Sequence, residues 1–220
     1  MEQRLNGLGR GMVELIIVPN NNSLVSYVDV ALGLLEAPNG SRIIKSRGED
    51  IPLIVEEFFR KGIKVIGMTG KDLLKEYKLS NNNTRLSVLK TIPWVDDNAL
   101  FGKPVLCILG PKGKRIEDLP KNLSVCINSK YKNLANRYIS QLELKDYNFE
   151  RVYLSGSTEA AYSTGLSDLV IDIVYTGASM KDAGLEVYGK IYESDFVIIG
   201  VKEEEIPGSP RNLVNFPNRY

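Results

Sequence analysis

Between Asp168 and Met180 an apolar strand pattern carries Asp172 near its end and runs directly into Thr176-Gly177-Ala178-Ser179. Gly177 permits a tight backbone approach, and Thr176 and Ser179 add hydroxyl donors. N–H groups exposed at the start of a following helix favour an anion, so the turn reads as a phosphate holder. Ordinary helix caps use the same residue types, so the neighbours must decide. Asp172 is harder to explain as a cap, because a carboxylate inside an apolar strand needs a partner. Glu159 falls in the first turn of a predicted helix, where the dipole alone accounts for an acid. Asp168 reads as a strand-start turn residue, and Arg137 as a surface charge. Lys130 follows a predicted strand and is placed to reach a phosphate. Asn20 and Asn21 follow the first strand, Arg47 lies beside Glu49 and Asp50, and Asp72 follows Gly70. For Arg47 and Asp72 a local ion pair and a helix first turn explain the residue as well as a functional role does.

The chain of 220 residues has no histidine, which removes imidazole acid-base chemistry, Ser-His-Asp triads and imidazole-bound metals. Catalysis is left to carboxylates, lysine, arginine, hydroxyls, backbone dipoles or a carboxylate-held Mg2+. Two cysteines, Cys107 and Cys126, each lie inside an apolar run, which points to buried strands and a cytoplasmic protein rather than to a disulfide framework. Net charge is +1, from 28 basic and 27 acidic side chains, so nothing calls for nucleic acid or an anionic membrane as partner. The apolar run from Met12 to Pro19 is too short to span a bilayer and lacks a cleavage pattern. Residues before it read as a frayed tail.

Strand and helix patterns alternate along the chain. Strands are predicted at Val13–Val18, Ser41–Lys45, Lys64–Met68, Val105–Leu109, Leu123–Ile127, Arg151–Leu154, Leu169–Tyr175 and Asp195–Gly200. Helices are expected after an N-cap at Ser23, from Asp50 to Lys61, Lys71 to Tyr77, Tyr131 to Gln141, Ser157 to Thr164, and just after Ser179. Pro38-Asn39-Gly40 closes the first helix, Leu79 to Arg85 reads as a loop, and the tail from Pro207 is irregular. This order implies an α/β protein of two lobes with mainly parallel sheets, and ligands at strand ends in an interlobe cleft. Lobe I takes 1–98 with a returning segment 190–220, and lobe II takes 99–189.

Beyond these single residues, Gly156-Ser157-Thr158-Glu159-Ala160, Gly165-Leu166-Ser167-Asp168, Asp172, Thr176 to Ser179 and Ala183-Gly184-Leu185 form one block. That block resembles the catalytic lobe of ATP phosphoribosyltransferase, the first enzyme of histidine biosynthesis. The resemblance extends back through Asn136-Arg137-Tyr138, Asn128-Ser129-Lys130-Tyr131 and Leu100-Phe101-Gly102-Lys103. It reaches Gly67-Met68-Thr69-Gly70-Lys71-Asp72 and Arg47-Gly48-Glu49-Asp50-Ile51-Pro52, covering most of the chain. It implies a periplasmic-binding-protein-like (type II) fold and transfer of a phosphoribosyl group from phosphoribosyl diphosphate to N1 of ATP, with Mg2+ present. Thr176, Gly177, Ala178 and Ser179 would then hold the 5-phosphate. Asp172 and Glu159 would face the ribose hydroxyls or the magnesium-bound diphosphate, so that Asp172 meets the metal only indirectly, and Asn20, Asn21, Arg47, Asp72 and Lys130 would meet the nucleotide or diphosphate.

One loop departs from the family. It normally reads Pro-Asn-Lys-Gly-Arg-Leu, and here it reads Pro19-Asn20-Asn21-Asn22-Ser23-Leu24, without the two cations. Charge-assisted hydrogen bonds contribute about 1.5–3 kcal/mol each, so this loss motivates a second reading. On it, the chain is a catalytically impaired paralogue that binds a phosphoribosyl or nucleotide ligand in a regulatory role. The resemblance ends soon after the last strand, which implies the short form without a C-terminal histidine-sensing domain. Such forms imply a homo-oligomer and a regulatory subunit related to histidyl-tRNA synthetase. A solute receptor would need a signal peptide, a nucleobase salvage transferase would carry paired acids before its turn, and Gly62, Gly67 and Gly70 lack dinucleotide-binding spacing.

Overall fold

A computed structural model of the chain describes residues 13–35 and 40–202. The predicted N-terminal tail, the helix stop at residues 38–39 and the irregular tail from 207 lie outside the described residues. In chain order the elements are β1 (Leu15–Pro19), α1 (Val25–Leu35), β2 (Arg42–Ser46), α2 (Ile51–Arg60), β3 (Val65–Gly70), α3 (Lys71–Ser80), β4 (Leu86–Ile92) and β5 (Val105–Pro111). They continue with β6 (Asn122–Asn128), α4 (Lys132–Glu143), β7 (Asn148–Leu154), α5 (Thr158–Ser163), β8 (Leu169–Val174), α6 (Ala178–Asp182), β9 (Leu185–Glu193) and β10 (Phe196–Val201). Short 3-10 turns precede α1 and α4.

Contacts divide the chain into two units. The first holds the described residues up to Gly70, Asn81–Ile92 and the described residues from Phe196; the second holds Lys71–Ser80 and Pro93–Asp195. The crossings therefore fall at Ile92/Pro93 and Asp195/Phe196, not at 98/99 and 190, and α3 belongs with the second unit. Physical contacts explain that placement. Leu73 and Leu79 pack on the second unit's core, and the Glu76 carboxylate accepts from the backbone N–H of Asn133 at 2.6 Å and of Leu134 at 2.9 Å, capping the start of α4. Asp72, 5% exposed, accepts the hydroxyl proton of Ser194 and pins the start of α3 to the end of β9.

The first unit is a five-stranded sheet in the order β2-β1-β3-β10-β4. Its centre is apolar because β1 is buried at every position and β3 at all but its last. The α2 helix starts with Pro52 in its first turn, where the missing N–H is harmless, and lays Ile51 and Val55 on β3. Gly67 makes that approach possible: a Cβ there would come within 2.6 Å of both Ile51 and Val55. The second unit has the order β7-β6-β8-β5-β9 over a core that includes Leu106, Ile127, Ile139 and Ile171.

Both sheets are mixed rather than mainly parallel. The pairs β1–β2, β1–β3, β6–β7 and β6–β8 are parallel, whereas β10 with β3 and β4, and β5 with β8 and β9, are antiparallel. Two of the antiparallel strands, β4 and β9, have no counterpart among the predicted strands. They are mostly half-exposed and carry Lys90, Thr91, Glu186 and Lys190 among their apolar residues, which blurs the period-2 signal. Helix α3 also runs on through Leu79, which the sequence assigns to a loop. The first helix is entered through Asn21 rather than Ser23: Asn21 Oδ1 accepts from the Ser23 N–H at 3.0 Å and its hydroxyl at 2.9 Å.

Substituting Gly67→Ala should destabilise the fold by about 1–3 kcal/mol through overpacking between β3 and α2. Urea unfolding followed by circular dichroism measures this as a lower midpoint with an unchanged slope.

Candidate functional site

In the second unit β7, β6 and β8 are parallel neighbours, so their C-terminal ends lie together. Ligands of such sheets gather at those ends. Asn128 closes β6, Thr158 opens α5 after β7, and Asp172 lies on β8. The three side chains meet. Asn128 Nδ2 donates to Asp172 Oδ1 at 2.9 Å, the Ile173 N–H donates to the same oxygen at 2.7 Å, and Thr158 Oγ1 donates to Oδ2 at 2.6 Å. Asn128 is 9% exposed and Thr158 fully buried, so these donors replace water. Burial pushes the Asp172 carboxyl above its ordinary value, opposed by the bonds from Thr158, Ile173 and Asn128 and reinforced by the nearby Glu159 carboxylate.

Glu159 stands between this network and the hydroxyl turn. Its Oε1 accepts from Ser179 Oγ at 2.8 Å, and its Oε2 lies 3.4 Å from the Thr158 hydroxyl. Ser157, just before α5, holds a left-handed φ of 47°, an uncommon state for a non-glycine residue that is typical of functional loops. The turn has its own constraint. Gly177 has φ 75°, a conformation that favours glycine, and a Cβ there would press to 3.2 Å from the Leu100 side chain. Thr176 Oγ1 accepts from the Ala178 N–H at 3.3 Å, while Thr176, Ala178 and Ser179 are exposed. Helix α6 has only five residues, so anion attraction here rests on local N–H and hydroxyl groups more than on a long dipole.

A segment of the same unit braces the turn from the other side. The Leu100 N–H donates to the Tyr175 carbonyl at 2.7 Å, and the Tyr175 hydroxyl donates to Asp96. That hydroxyl, with the Asn98 N–H, holds the Asp96 carboxyl below the usual carboxylate range. Trp94 meets the Tyr175 ring edge-on at 6.0 Å.

The sequence candidates sort accordingly. Asp172, Glu159, Thr176, Gly177, Ala178 and Ser179 form one connected cluster. Lys130 adjoins it, its N–H donating to Asn128 Oδ1 at 3.2 Å. Asp168 accepts from the Ser124 N–H and hydroxyl at 2.7 Å each, the structural role expected of it. Asp72 is the buried clip to Ser194, away from solvent. In the first unit, Asn20 follows β1 and donates its N–H to the Ser46 carbonyl at 2.8 Å, beside Arg47 at the end of β2. Arg47 is paired with Glu49 at 2.6 Å, and Thr69 at the end of β3 donates to the Gly48 carbonyl at 2.8 Å. So these loops share one end of the first sheet, with Asn21 serving as the cap already described. Asn128, Thr158, Asp96 and Tyr175 were not singled out from sequence. Asn128 is legible as a polar residue just after a predicted strand and Thr158 as a hydroxyl in the first turn of a predicted helix; the Asp96–Tyr175 contact spans too many residues to read.

Among the described residues, no three acid, thiol or imidazole groups gather to hold a metal by themselves. The Asp172 and Glu159 pair fits an ion that arrives already bound to phosphate oxygens, since magnesium is commonly held by one or two carboxylates plus phosphates. Both cysteines are buried, and burial pushes Cys107 up to about 12 and Cys126 up to about 11, which leaves neither as a nucleophile.

A family model described as ATP phosphoribosyltransferase matches residues 47–212. The chain is 34% identical over 161 residues to the ATP phosphoribosyltransferase of Caldicellulosiruptor saccharolyticus, covering 73% of this chain and 68% of that protein. It is 32% identical over 176 residues to the enzyme of the same name from Lachnospira eligens, covering 80% of this chain and 66% of that one. The matches thus span about two thirds of these relatives' length. Among solved structures, the ATP phosphoribosyl transferase (HisG:HisZ) complex from Thermotoga maritima shares the fold with a TM-score of 0.62 at 24% identity, over 84% of this chain and 86% of that one. The periplasmic aliphatic sulphonate binding protein SsuA from Escherichia coli shares it with a TM-score of 0.52 at 15% identity, over 85% and 65%. The expected periplasmic-binding-protein-like fold is thereby supported.

The Asp172 environment yields a pH-dependent prediction. Its folded pKa is raised, so between the ordinary value of 3.8 and that raised one the folded chain holds more proton than the unfolded chain. Stability contributed by this group therefore falls as pH rises through that window. Asparagine at 172 keeps an acceptor for Asn128 and Ile173 and a donor for the Thr158 oxygen. Thermal melts should show Asp172→Asn level with or above the parent at neutral pH, with its advantage shrinking as pH falls toward 3.8. An advantage that grows on acidification contradicts the assignment.

Proposed function

The chain belongs to the ATP phosphoribosyltransferase family, and from that premise we propose that it transfers the phosphoribosyl group of phosphoribosyl diphosphate to N1 of ATP. The products are phosphoribosyl-ATP and diphosphate, the first step of histidine biosynthesis. The observation that carries this reading is the direct link between Glu159 and Ser179, which joins the carboxylate pair to the Thr176–Ser179 turn at one sheet end. On this reading the turn holds the 5-phosphate through backbone N–H groups and the hydroxyls of Thr176 and Ser179. Glu159 accepts from ribose hydroxyls, with Asp172 fixing Thr158 beneath it. As N1 bonds to C1, the bond from C1 to the diphosphate oxygen breaks and the electron pair leaves with diphosphate.

Positive charge develops at the anomeric centre during that exchange, and the two carboxylates offset it. No strong base is required, because adenine N1 attacks with a lone pair. This suits a chain without histidine. Magnesium bound to the diphosphate would neutralise the leaving group, with Asp172 and Glu159 as the nearby acids. Lys130, Asn20 and Arg47 are proposed to meet nucleotide or diphosphate oxygens. Among the described residues no helix is long and apolar enough to cross a membrane. We propose a cytoplasmic location, where ATP and phosphoribosyl diphosphate are made and used. The Thermotoga maritima structure is a HisG:HisZ complex, and we extend a regulatory partner subunit to this chain on that basis. The relatives bear an enzyme's name, and nothing in these comparisons favours the non-catalytic paralogue that the Asn20–Ser23 loop motivates.

Incubation with ATP, phosphoribosyl diphosphate and magnesium should raise ultraviolet absorbance as phosphoribosyl-ATP accumulates. Glu159→Gln should lower kcat by about 10²–10³, the loss expected for one electrostatic stabiliser. Ser179→Ala should raise KM for phosphoribosyl diphosphate by up to about tenfold, the effect of one neutral hydrogen bond. Absence of product at high enzyme concentration, with and without a regulatory subunit, overturns the proposal.

A further inference from the structure

The segment before β5 folds into a small closed loop. The Asp96 N–H donates to the Gly102 carbonyl at 2.9 Å, and the Ala99 and Gly102 N–H groups donate to the Asp96 and Ala99 carbonyls at 3.0 Å each. Inside the loop, Asp96 Oδ1 accepts from the Asn98 N–H at 2.9 Å and from Asn98 Nδ2 at 3.1 Å. The other carboxylate oxygen, Oδ2, accepts from the Tyr175 hydroxyl. Tyr175 is thus gripped at three places: its hydroxyl by Asp96, its carbonyl by the Leu100 N–H at 2.7 Å, and its ring by Trp94, edge-on at 6.0 Å.

Tyr175 immediately precedes Thr176. Its carbonyl and the Thr176 N–H share one rigid peptide plane, so the bond from Leu100 sets where that N–H points. Leu100 also packs toward Gly177, with 3.2 Å between its side chain and the place a Cβ would take. The bond within the turn, from the Ala178 N–H to Thr176 Oγ1, is long at 3.3 Å, so the loop is the firmer guide. The Tyr175 bond holds the Asp96 carboxyl below the usual range, so Asp96 stays a charged acceptor at neutral pH. On the reading of the turn as the 5-phosphate site, we propose that Asp96 is a positioning residue for the phosphoribosyl substrate. Through the Tyr175 hydroxyl it aims the N–H groups and hydroxyls of the turn at the phosphate. A phosphate remote from the reacting C1 is held alike in the ground and transition states, so the effect falls on KM and not on kcat.

Trp94 is the chain's single tryptophan, and its contact with the Tyr175 ring makes its fluorescence a reporter of this place. Titrating the full chain with ribose 5-phosphate, without ATP, should change that emission saturably, and calorimetry gives the Kd independently. Asp96→Ala and Tyr175→Phe should each raise Kd about tenfold, the effect of one charge-assisted bond. The double variant should match either single one, because both remove the same bond. Asp96→Asn should fall between the parent and Asp96→Ala, since its amide restores a neutral bond to Tyr175, and it serves where Asp96→Ala does not fold. In turnover, KM for phosphoribosyl diphosphate should rise about tenfold, with KM for ATP and kcat within about twofold of the parent. Unchanged affinity in Tyr175→Phe, losses that add in the double variant, or a fall in kcat at unchanged KM each overturns the proposal. Affinity lost in both variants of a chain that makes no phosphoribosyl-ATP overturns the transferase reading and leaves the role of Asp96 standing. A parent that does not bind ribose 5-phosphate by either method overturns both.

Discussion

A carboxylate on β8 without enough water around it is the constraint to which the second unit answers. Asp172 draws a donor from the end of β6, one from the start of α5 and one from its own strand's backbone. Each donor fixes a different element, so satisfying one charge also aligns three chain segments. Asn128 cannot move without releasing Oδ1, and Thr158 cannot turn away without leaving Oδ2 short. Because hydrogen bonds to charged groups contribute about 1.5–3 kcal/mol, the network is a strong local determinant of shape. Glu159 then inherits its position from Thr158 next to it, and the hydroxyl turn inherits its contact from Glu159.

Such an arrangement is a poor way to maximise stability. Burial raises the Asp172 carboxyl, so at neutral pH part of the energy of the fold holds a charge where charge is disfavoured. Ser157 in a left-handed conformation adds a second local strain beside it. On the proposed function, a fixed carboxylate at this place would face the positive charge that develops at the anomeric centre. Strands β1 and β5 are apolar and carry no such charge.

Much of this site is legible in the sequence. The run from Leu169 to Ser179 combines a continuous apolar strand, an embedded acid, a glycine and two hydroxyls, and each signal is local enough to survive without tertiary information. The affiliation of α3 was not legible. Lys71 follows β3 without a break, and long-range contacts such as those of Glu76 with Asn133, 57 residues away, carry the helix into the other unit. Strands β4 and β9 were hidden for a related reason. Their identity comes from antiparallel partners, and their polar residues face solvent in a rhythm too irregular for a period-2 reading. The cap at Asn21 was displaced from Ser23 because asparagine's longer side chain reaches two residues ahead.

The bond from Ser179 to Glu159 has a further consequence for selectivity. An incoming phosphate that takes the Ser179 hydroxyl removes a donor from Glu159 and brings negative charge toward it. A bare phosphate offers Glu159 nothing in return. A phosphorylated pentose does, since its ring hydroxyls can refill the vacated acceptor while its phosphate occupies the turn. If the turn holds the 5-phosphate as proposed, the hydrogen bond would work as an exchange gate, admitting an anion on favourable terms only when a polyol is attached to it. Discrimination between a sugar phosphate and free phosphate would then be built into the resting contact itself, without any residue devoted to rejecting the wrong ligand.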